Sequence, residues 1–422
     1  MKRARNLAIV GISLVGTMAA SEPDAFAQGG VPNCTDLQNP IFMTGTTAVM
    51  PVIKHFGAKL KKLTPPVTLL WDEHGDGCGD TNNFVTSTLV GKRITFSNYD
   101  ESASGIITST CNGQLNQIPD LVINDVTYSS CAIAYSESRA LPANFKEFTG
   151  PVQGLVPIVA SSYLYYDDIT VEELQDIYIC GGNGRILTFT NTNTIYDYNC
   201  VTSGMRELWA RGLGVANGQV LPGIVGEGCN TLILAEPMVA LVASTVTPDT
   251  TIGYTSTEFY DQYRGQVRGL KVRGVNQLKA YLPDTDLTST DKINIREGRY
   301  TIQGALRLVA QVDPNDPNGV PVNPNAKKII DWMQNNPVSD PTQQLPFDIN
   351  SLYATTGVVP QCAMRVTKDS DVPVFRRYRD PMPCHCSFQM LATGKTSIPG
   401  CTACTDSSTC AANQICSHGY CE

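Results

Sequence analysis

Short apolar or β-rich runs alternate with stretches of helical spacing between residues 28 and 310, and this alternation constrains the fold more than any other feature. Strands separated by helices are typical of α/β proteins, in which helices cover a largely parallel sheet. One helix start carries a capping box, since Thr170 stands three residues before Glu173. The extended runs are 66–71, 93–96, 120–125, 155–160 and 186–190, and the helical stretches are 48–63, 170–179, 203–214 and 234–245. The sequence therefore predicts the α/β fold class.

The first 27 residues have the pattern of a secretory signal peptide. Lys2, Arg3 and Arg5 form a basic start, residues 7–16 are mostly apolar, and residues 25–27 fit an A-x-A cleavage site. An apolar run of this length is too short to span a bilayer. We therefore expect an exported protein, in the periplasm, secreted or at the cell surface, with no membrane span in the mature chain.

Charge and cysteine content narrow the classes of partner. The net charge of −8 argues against a nucleic-acid surface, which needs a basic stripe. Fifteen cysteines in an exported chain predict disulfides, and the odd number leaves at least one cysteine unpaired or paired to another molecule. We expect a monomer whose main partner is a small molecule.

The sequence offers little material for catalysis or for metal binding. Its four histidines stand far apart, and neither G-x-S-x-G nor H-E-x-x-H occurs. The acidic stretch 71–80 is compatible with calcium, although a glycine-rich turn after a strand explains it more simply. A mechanism using a pair of carboxylates stays open at this point. Our interpretation is a protein that is not an enzyme and that has no cofactor, no metal site and no catalytic residue.

The C-terminal part of the chain differs from the rest. Seven cysteines occur between Cys384 and Cys421, in a segment too small to build an apolar core of its own. Disulfides are favoured over a zinc site, because the cysteine spacing is not that of a paired C-x-x-C site and the chain is exported. Residues 366–422 are interpreted as a linker and a small disulfide-rich module.

Four segments place glycine, hydroxyl or carboxylate groups at strand ends or helix starts. They are residues 45–48, 75–79, 120–125 and 203–206. Open α/β sheets bind ligands at such positions, and the unpaired N–H groups of a helix start favour anions. Taken together, the four segments predict one ligand site.

The order of these motifs resembles that of the phosphate-type periplasmic substrate-binding proteins of ABC importers, which have the two-lobed type II fold known as the Venus flytrap. The resemblance covers residues 40–335 and leaves the cysteine-rich end outside. Its motifs are GTTAVMP at 45–51, GDGCG at 75–79, the strand ending in Asn124-Asp125, ITVEELQDIYICGG at 169–182, SGM at 203–205, TTIGYTS at 250–256 and GRYTIQGALRLV at 298–309.

The resemblance implies a fold and a function. Lobe 1 would comprise residues 28–156 and 300–365, and lobe 2 residues 157–299. Hinge closure would trap a small oxyanion, phosphate or phosphate-like, for uptake or sensing, with an ABC transporter permease as the partner. The alternative is a scaffold that has lost its small ligand and acts as a surface interaction protein.

The resemblance also implies the ligand residues. Asp125 would accept a hydrogen bond from a protonated phosphate and so discriminate against sulfate. The site departs from the family pattern at three places: its arginine is Asn199, a threonine is Met205 and a serine is Asp76. Arg206 either replaces the missing cation or lies on a helix surface. The predicted ligand residues are Thr46, Thr47, Ala48, Asp76, Gly77, Asp125, Asn199, Ser203, Gly204, Met205 and Arg206.

Sequence separation suggests two disulfides. Cys111 with Cys131, and Cys180 with Cys200, are each about twenty residues apart. Spacing does not determine connectivity, so both pairings are expectations only.

Overall fold

The computed structural model describes residues 31–72, 75–87, 93–134, 140–180, 194–197, 202–216, 220, 235–336 and 344–422. The predicted signal peptide and the candidate residue Asn199 lie outside these ranges.

Most strands belong to one mixed sheet of ten strands, with the order β4-β3-β2-β1-β5-β12-β6-β9-β8 and β10 paired to β6. The strands are β1 Pro40–Gly45, β2 Thr68–Trp71, β3 Arg93–Ser102, β4 Gly105–Leu115, β5 Leu121–Asn124, β6 Phe145–Ala160, β7 Asp168–Thr170, β8 Thr194–Ile195, β9 Thr251–Ser256, β10 Val267–Gly269, β11 Lys271–Arg273, β12 Gln303–Gln311, β13 Val366–Thr367, β14 Arg376–Arg377, β15 Cys416–Ser417 and β16 Tyr420–Cys421.

Helices connect the strands and cover the sheet. They are α1 Met50–Leu60, α2 Cys78–Thr86, α3 Tyr128–Ala134, α4 Val171–Cys180, α5 Gly204–Gly212, α6 Ala235–Ala243, α7 Thr257–Tyr263, α8 Ile293–Arg296, α9 Pro324–Met333, α10 Ile349–Thr356 and α11 His385–Thr393. None of the described helices is long and apolar enough to cross a membrane.

The sheet combines parallel and antiparallel pairing. β1 runs parallel to both β2 and β5, whereas β12 is antiparallel to β5 on one side and to β6 on the other. β6 is sixteen residues long and continues past β12 to pair with β9 and β10. The α/β fold class is confirmed. The division into lobes at residues 156/157 and 299/300 stays a prediction, and β6 runs through the first of these positions.

Apolar side chains on both sides of the sheet form the core. β2 and β5 are buried at every residue, which is why both read as continuous apolar runs in the sequence. α1 begins with Pro51 in its first turn and buries Phe56, which meets the Trp332 ring of α9 edge-on at 6.2 Å. A buried aromatic side chain of this kind contributes roughly 1.5–3 kcal/mol.

The capping box before α4 is confirmed. The backbone N–H of Thr170 donates to a carboxylate oxygen of Glu173 at 2.7 Å, and the N–H of Glu173 donates to the Thr170 hydroxyl at 3.0 Å. Two N–H groups at the helix start are thus satisfied reciprocally.

The predicted pairing of Cys111 with Cys131 is wrong. β4 instead brings Cys111 beside the turn that holds Cys34, and α3 brings Cys131 beneath the start of α2 at Cys78. The pairing of Cys180 with Cys200 lies outside the description, because Cys200 is not among the described residues. The described disulfides are Cys34–Cys111, Cys78–Cys131, Cys362–Cys384, Cys386–Cys401, Cys404–Cys416 and Cys410–Cys421.

The C-terminal module is stapled as predicted, and it is anchored to the body of the protein. The buried Arg296 guanidinium donates to the backbone oxygens of Ala363 and His385 and lies 5.6 Å from the Phe388 ring centroid. The sulfurs of Cys404, Cys410 and Cys421 lie close together, but each belongs to a disulfide. These sulfurs are therefore not thiolate ligands for zinc.

The Cys78–Cys131 disulfide closes a loop of 53 residues, so its loss should destabilise the fold by about 4 kcal/mol through chain entropy. We expect the Cys78→Ser/Cys131→Ser double variant to show this drop in the free energy of unfolding in a denaturant titration. Cys404→Ser/Cys416→Ser is the matched control and should leave the main transition in place. An unchanged midpoint for the first variant would contradict the expectation.

Candidate functional site

The turn after β1 is shaped by Gly45. Its φ of +135° suits glycine, and a Cβ there would lie 1.9 Å from the carbonyl oxygen of Ile123 on β5. The backbone N–H of Thr46 donates to that same oxygen at 2.9 Å. The Thr46 hydroxyl accepts from the N–H of Ala48 at 3.2 Å and caps the 3₁₀ turn Thr47–Val49 that leads into α1.

The glycine-rich turn that precedes α2 lies in space beside the turn after β1. Gly77 has a φ of +61° and directly precedes α2. The Cys78–Cys131 disulfide fixes the helix start, and the Asn124 side-chain amide donates to the sulfur of Cys131 at 2.8 Å. β5, α2 and α3 therefore hold one another at this end of the sheet.

Asp125 lies at the centre of the candidate site. Its side chain is fully buried, and its Oδ1 accepts a hydrogen bond from Gln153 Nε2 at 2.5 Å. Its Oδ2 has no hydrogen-bond partner among the described residues. Burial raises the pKa of Asp125 to about 6, whereas the nearby Thr46 hydroxyl and the Gln153 amide lower it.

The start of α5 meets these elements. Ser203 forms an isolated antiparallel bridge with Gly77, and its hydroxyl accepts from the N–H of Arg206 at 3.4 Å. A Cβ on Gly204 would lie 2.5 Å from Asp125 Oδ2, so the unpartnered oxygen faces the helix start. The four segments identified from the sequence are thus brought together.

Acidic groups surround the same place. The Thr202 hydroxyl donates to Asp76, whose pKa burial raises. Burial also raises the pKa of Asp80 to about 8, in spite of the hydrogen bond from Thr44. With a pKa of about 8, the Asp80 carboxyl is mainly neutral at pH 7, so it does not repel an anion there by charge.

The side chains of two predicted ligand residues of α5 point away from the site. Met205 is buried in the hydrophobic core. Arg206 is 2% exposed, with Nε 3.1 Å from Asp197 Oδ2 and a terminal nitrogen 2.6 Å from the Val220 carbonyl oxygen. Its interpretation as a helix-surface residue is wrong, because the amphipathic pattern did not reveal the buried partner Asp197. Its charge is already neutralised there.

One polar group of this region was missed by sequence reasoning. Glu258, in the first turn of α7, is 1% exposed, and burial raises its pKa to about 8. In the sequence, Glu258 follows the polar run Thr255-Ser256-Thr257, and an acidic residue in this position usually marks a helix start. This pattern was the only signal for Glu258.

No protein-family model matches the chain, and no curated protein does. Among solved structures, the chain is similar to a protein described as a phosphate ABC transporter substrate-binding protein from Clostridium perfringens with bound phosphate. The identity is 14% over 76% of this chain and 99% of that chain, with a TM-score of 0.47.

Two further structures show how broad this likeness is. An ABC-type phosphate transport receptor from Vibrio cholerae is 14% identical over 76% of this chain and 100% of that chain, with a TM-score of 0.43. An OxyR mutant from Corynebacterium glutamicum with hydrogen peroxide bound is 10% identical over 81% of this chain and 72% of that chain, with a TM-score of 0.39. Because all three TM-scores are below 0.5, the fold is assigned from the strand order of this chain and not from these structures.

Replacing Arg206 should lower the stability of the fold, because Asp197 would stay buried without its cation. We expect Arg206→Met to lower the free energy of unfolding by about 3–5 kcal/mol in urea. Arg206→Met/Asp197→Asn should recover part of this loss. Lys327→Met removes a half-exposed ion pair with Asp331 and should cost less than about 1 kcal/mol. Equal effects of the two single variants would contradict the role of Arg206.

Proposed function

We propose that this chain is an exported binding protein that holds one small protonated oxyanion, phosphate or a phosphate-like group, where the turn after β1, α2, β5 and α5 meet. The observation that carries the proposal is the unpartnered, fully buried Asp125 Oδ2 facing the start of α5. A buried acceptor without a partner costs about 1–3 kcal/mol, and a ligand that donates a hydrogen bond to it recovers this energy.

The contacts proposed for the ligand are of two kinds. Backbone N–H groups at the start of α5, with the hydroxyls of Thr46, Thr47 and Ser203, would bind the oxygens of an anion. Asp125 would accept a hydrogen bond from the protonated oxygen. A fully deprotonated tetrahedral anion such as sulfate cannot donate and would be repelled.

The role is that of a binding protein for uptake or sensing, without a chemical step. Its place would be the periplasm or the cell surface, because the disulfides suit an oxidising compartment. For uptake, the partner would be an ABC transporter permease that receives the ligand-bound form. The motif order across residues 45–309 supports this role.

A second candidate function is favoured by a separate observation. The Gly77–Ser203 bridge and the hydrogen bond from Thr202 to Asp76 join the two sides of the site directly. The cation Arg206 is paired with Asp197. A site closed by its own residues fits a scaffold that acts through its surface, as an interaction protein without a small ligand.

Isothermal titration with phosphate at pH 7 decides between the two candidates. Binding with one site per chain is expected from the oxyanion proposal, and phosphate should then also raise the melting temperature. If millimolar phosphate gives neither heat nor a thermal shift, the oxyanion proposal is wrong and the interaction scaffold is favoured.

Asp125→Asn should weaken the discrimination between phosphate and sulfate, because the amide can donate a hydrogen bond to an unprotonated oxygen. A charge-assisted hydrogen bond of about 1.5–3 kcal/mol corresponds to a roughly ten- to hundredfold fall in the preference for phosphate. In the unaltered chain the preference should also fall below pH 6, where Asp125 becomes protonated. Competition titrations with the two anions measure this ratio.

The control for this variant is Asp316→Asn, which makes the same aspartate-to-asparagine change in an exposed surface turn. It should leave the anion preference as it is. If Asp125→Asn also leaves the preference for phosphate over sulfate unchanged, Asp125 is not a ligand residue.

A further inference from the structure

β4 forms one edge of the large sheet, and this edge is long and open. The strand runs over Gly105–Leu115 and stands first in the strand order, with β3 on one side. On its other side an isolated bridge joins Asn112 to Asn33. No further strand among the described residues pairs with that side. An open edge presents N–H and C=O groups that can pair with a strand of another chain.

The hydrogen bond at Asn112 shows which backbone groups of β4 point outward. The N–H of Asn112 donates to the carbonyl oxygen of Pro32 at 2.9 Å, on the side away from β3. The pairing with β3 has no register shift from there back to the turn of the hairpin. In an antiparallel ladder, successive residues direct their N–H and C=O groups alternately to the two sides. Ile106, Thr108 and Thr110 therefore direct theirs to the open side.

β4 lacks the features that usually protect an edge strand. Charged side chains, proline and bulges are common protections. Residues 105–115, GIITSTCNGQL, include neither a charged residue nor a proline. Isoleucine and threonine, which favour paired strands, make up most of the first six positions, and the apolar Ile107 is 50% exposed. This composition is typical of a strand that is paired on both sides.

The outer half of the hairpin is held against α1. Tyr99 of β3 is fully buried there. Lys61 of α1 lies 2.6 Å from a carboxylate oxygen of Asp100, and Lys62 is paired with Glu101. Because the acidic side chains of the hairpin have these partners, two copies of it can approach without strong like-charge repulsion. A hairpin that is already ordered also loses little entropy when another strand pairs with it.

The open edge is complementary to a second copy of itself. In an antiparallel pairing centred on Thr108, Ile106 lies opposite Thr110 of the second copy, and Thr108 lies opposite its own counterpart. This is the centre at which the three outward-pointing residues pair with one another and with no other residue. Each opposed pair exchanges two N–H···O=C bonds, which gives about six hydrogen bonds in all.

The same register covers the exposed isoleucine. Ile107 would lie opposite Ser109 of the second copy and diagonal to its own counterpart, on one face of the sheet. Diagonal neighbours in an antiparallel pair are within reach of long side chains. Contact between the two isoleucines would remove apolar surface from water and so favour the pairing.

We propose that two copies of this chain associate through their β4 strands, antiparallel and centred on Thr108, as a symmetric dimer. The pairing occupies the open edge of both copies, so association stops at two. A contact between two strands is smaller than the roughly 1,200–2,000 Å² of stable interfaces, so the dimer should dissociate reversibly. This dimer differs from the monomer expected from the sequence, and it is independent of the proposed oxyanion site.

The test is sedimentation equilibrium of the full chain, with its disulfides intact and without phosphate. The average mass should rise from that of one chain toward that of two between about 1 and about 500 µM, the range expected for a small interface. It should not exceed the mass of two chains.

A proline at the centre tests whether the backbone makes the contact. Thr108→Pro removes an outward N–H that β3 does not use, so the hairpin should stay folded while the dimer is lost. The average mass should then stay at one chain over the whole range. Thr108→Val is the matched control, because it keeps the backbone groups and a β-branched side chain. It should associate as the unaltered chain does.

A pair of charged variants tests the register, because Thr108 faces its own counterpart. Thr108→Lys and Thr108→Glu should each stay monomeric alone, since like charges would lie directly opposite each other. An equimolar mixture of the two should form a mixed dimer. These variants also replace Thr108→Pro if the proline prevents folding.

Several results would overturn the inference. A single-chain mass at every concentration would leave the edge to some other extended segment. A dimer that persists in Thr108→Pro would place the contact elsewhere. The register is excluded if the two charged variants associate alone as well as together, or if their mixture stays monomeric. Because no sample contains phosphate, failure of the proposed oxyanion function would not change any of these results.

Discussion

The structure of the candidate site depends on burying the carboxyl group of Asp125 at the end of β5. Removing this group from water is unfavourable, so neighbouring elements supply polar contacts: the Gln153 amide and the Thr46 hydroxyl. Gly204 is the residue type that allows the helix start to approach, because any side chain there would collide with the carboxyl group. The buried Asp125 carboxyl group thus restricts the residue type at positions 46, 153 and 204, which lie in three separate segments.

Much of this arrangement could be predicted from local sequence. The strand-helix alternation gave the α/β class, and the capping box at Thr170 gave a helix start, because both depend on contacts within a few residues. The approach of the glycine-rich turn at Gly77 to Ser203 could also be predicted, since open α/β sheets bring strand ends and helix starts together at one edge.

What could not be predicted depends on long-range partners. Arg206 looked like a ligand or surface cation, and only the fold shows Asp197 beside it. The wrong pairing of Cys111 has the same origin, because proximity in sequence is a poor guide once a hairpin and a turn at Cys34 come together. Glu258 was missed because its burial depends on how α7 packs in the fold rather than on any local motif.

The disulfide between Cys78 and Cys131 has a consequence for where the protein can work. It ties the glycine turn of the site to α3, and both of its sulfurs lie against the amide of Asn124 next to Asp125. In a reducing cytosol this disulfide would not form, so the turn before α2 would lack its covalent link to α3 there. For an exported chain, as proposed, the oxidising compartment would therefore be needed to complete the candidate site.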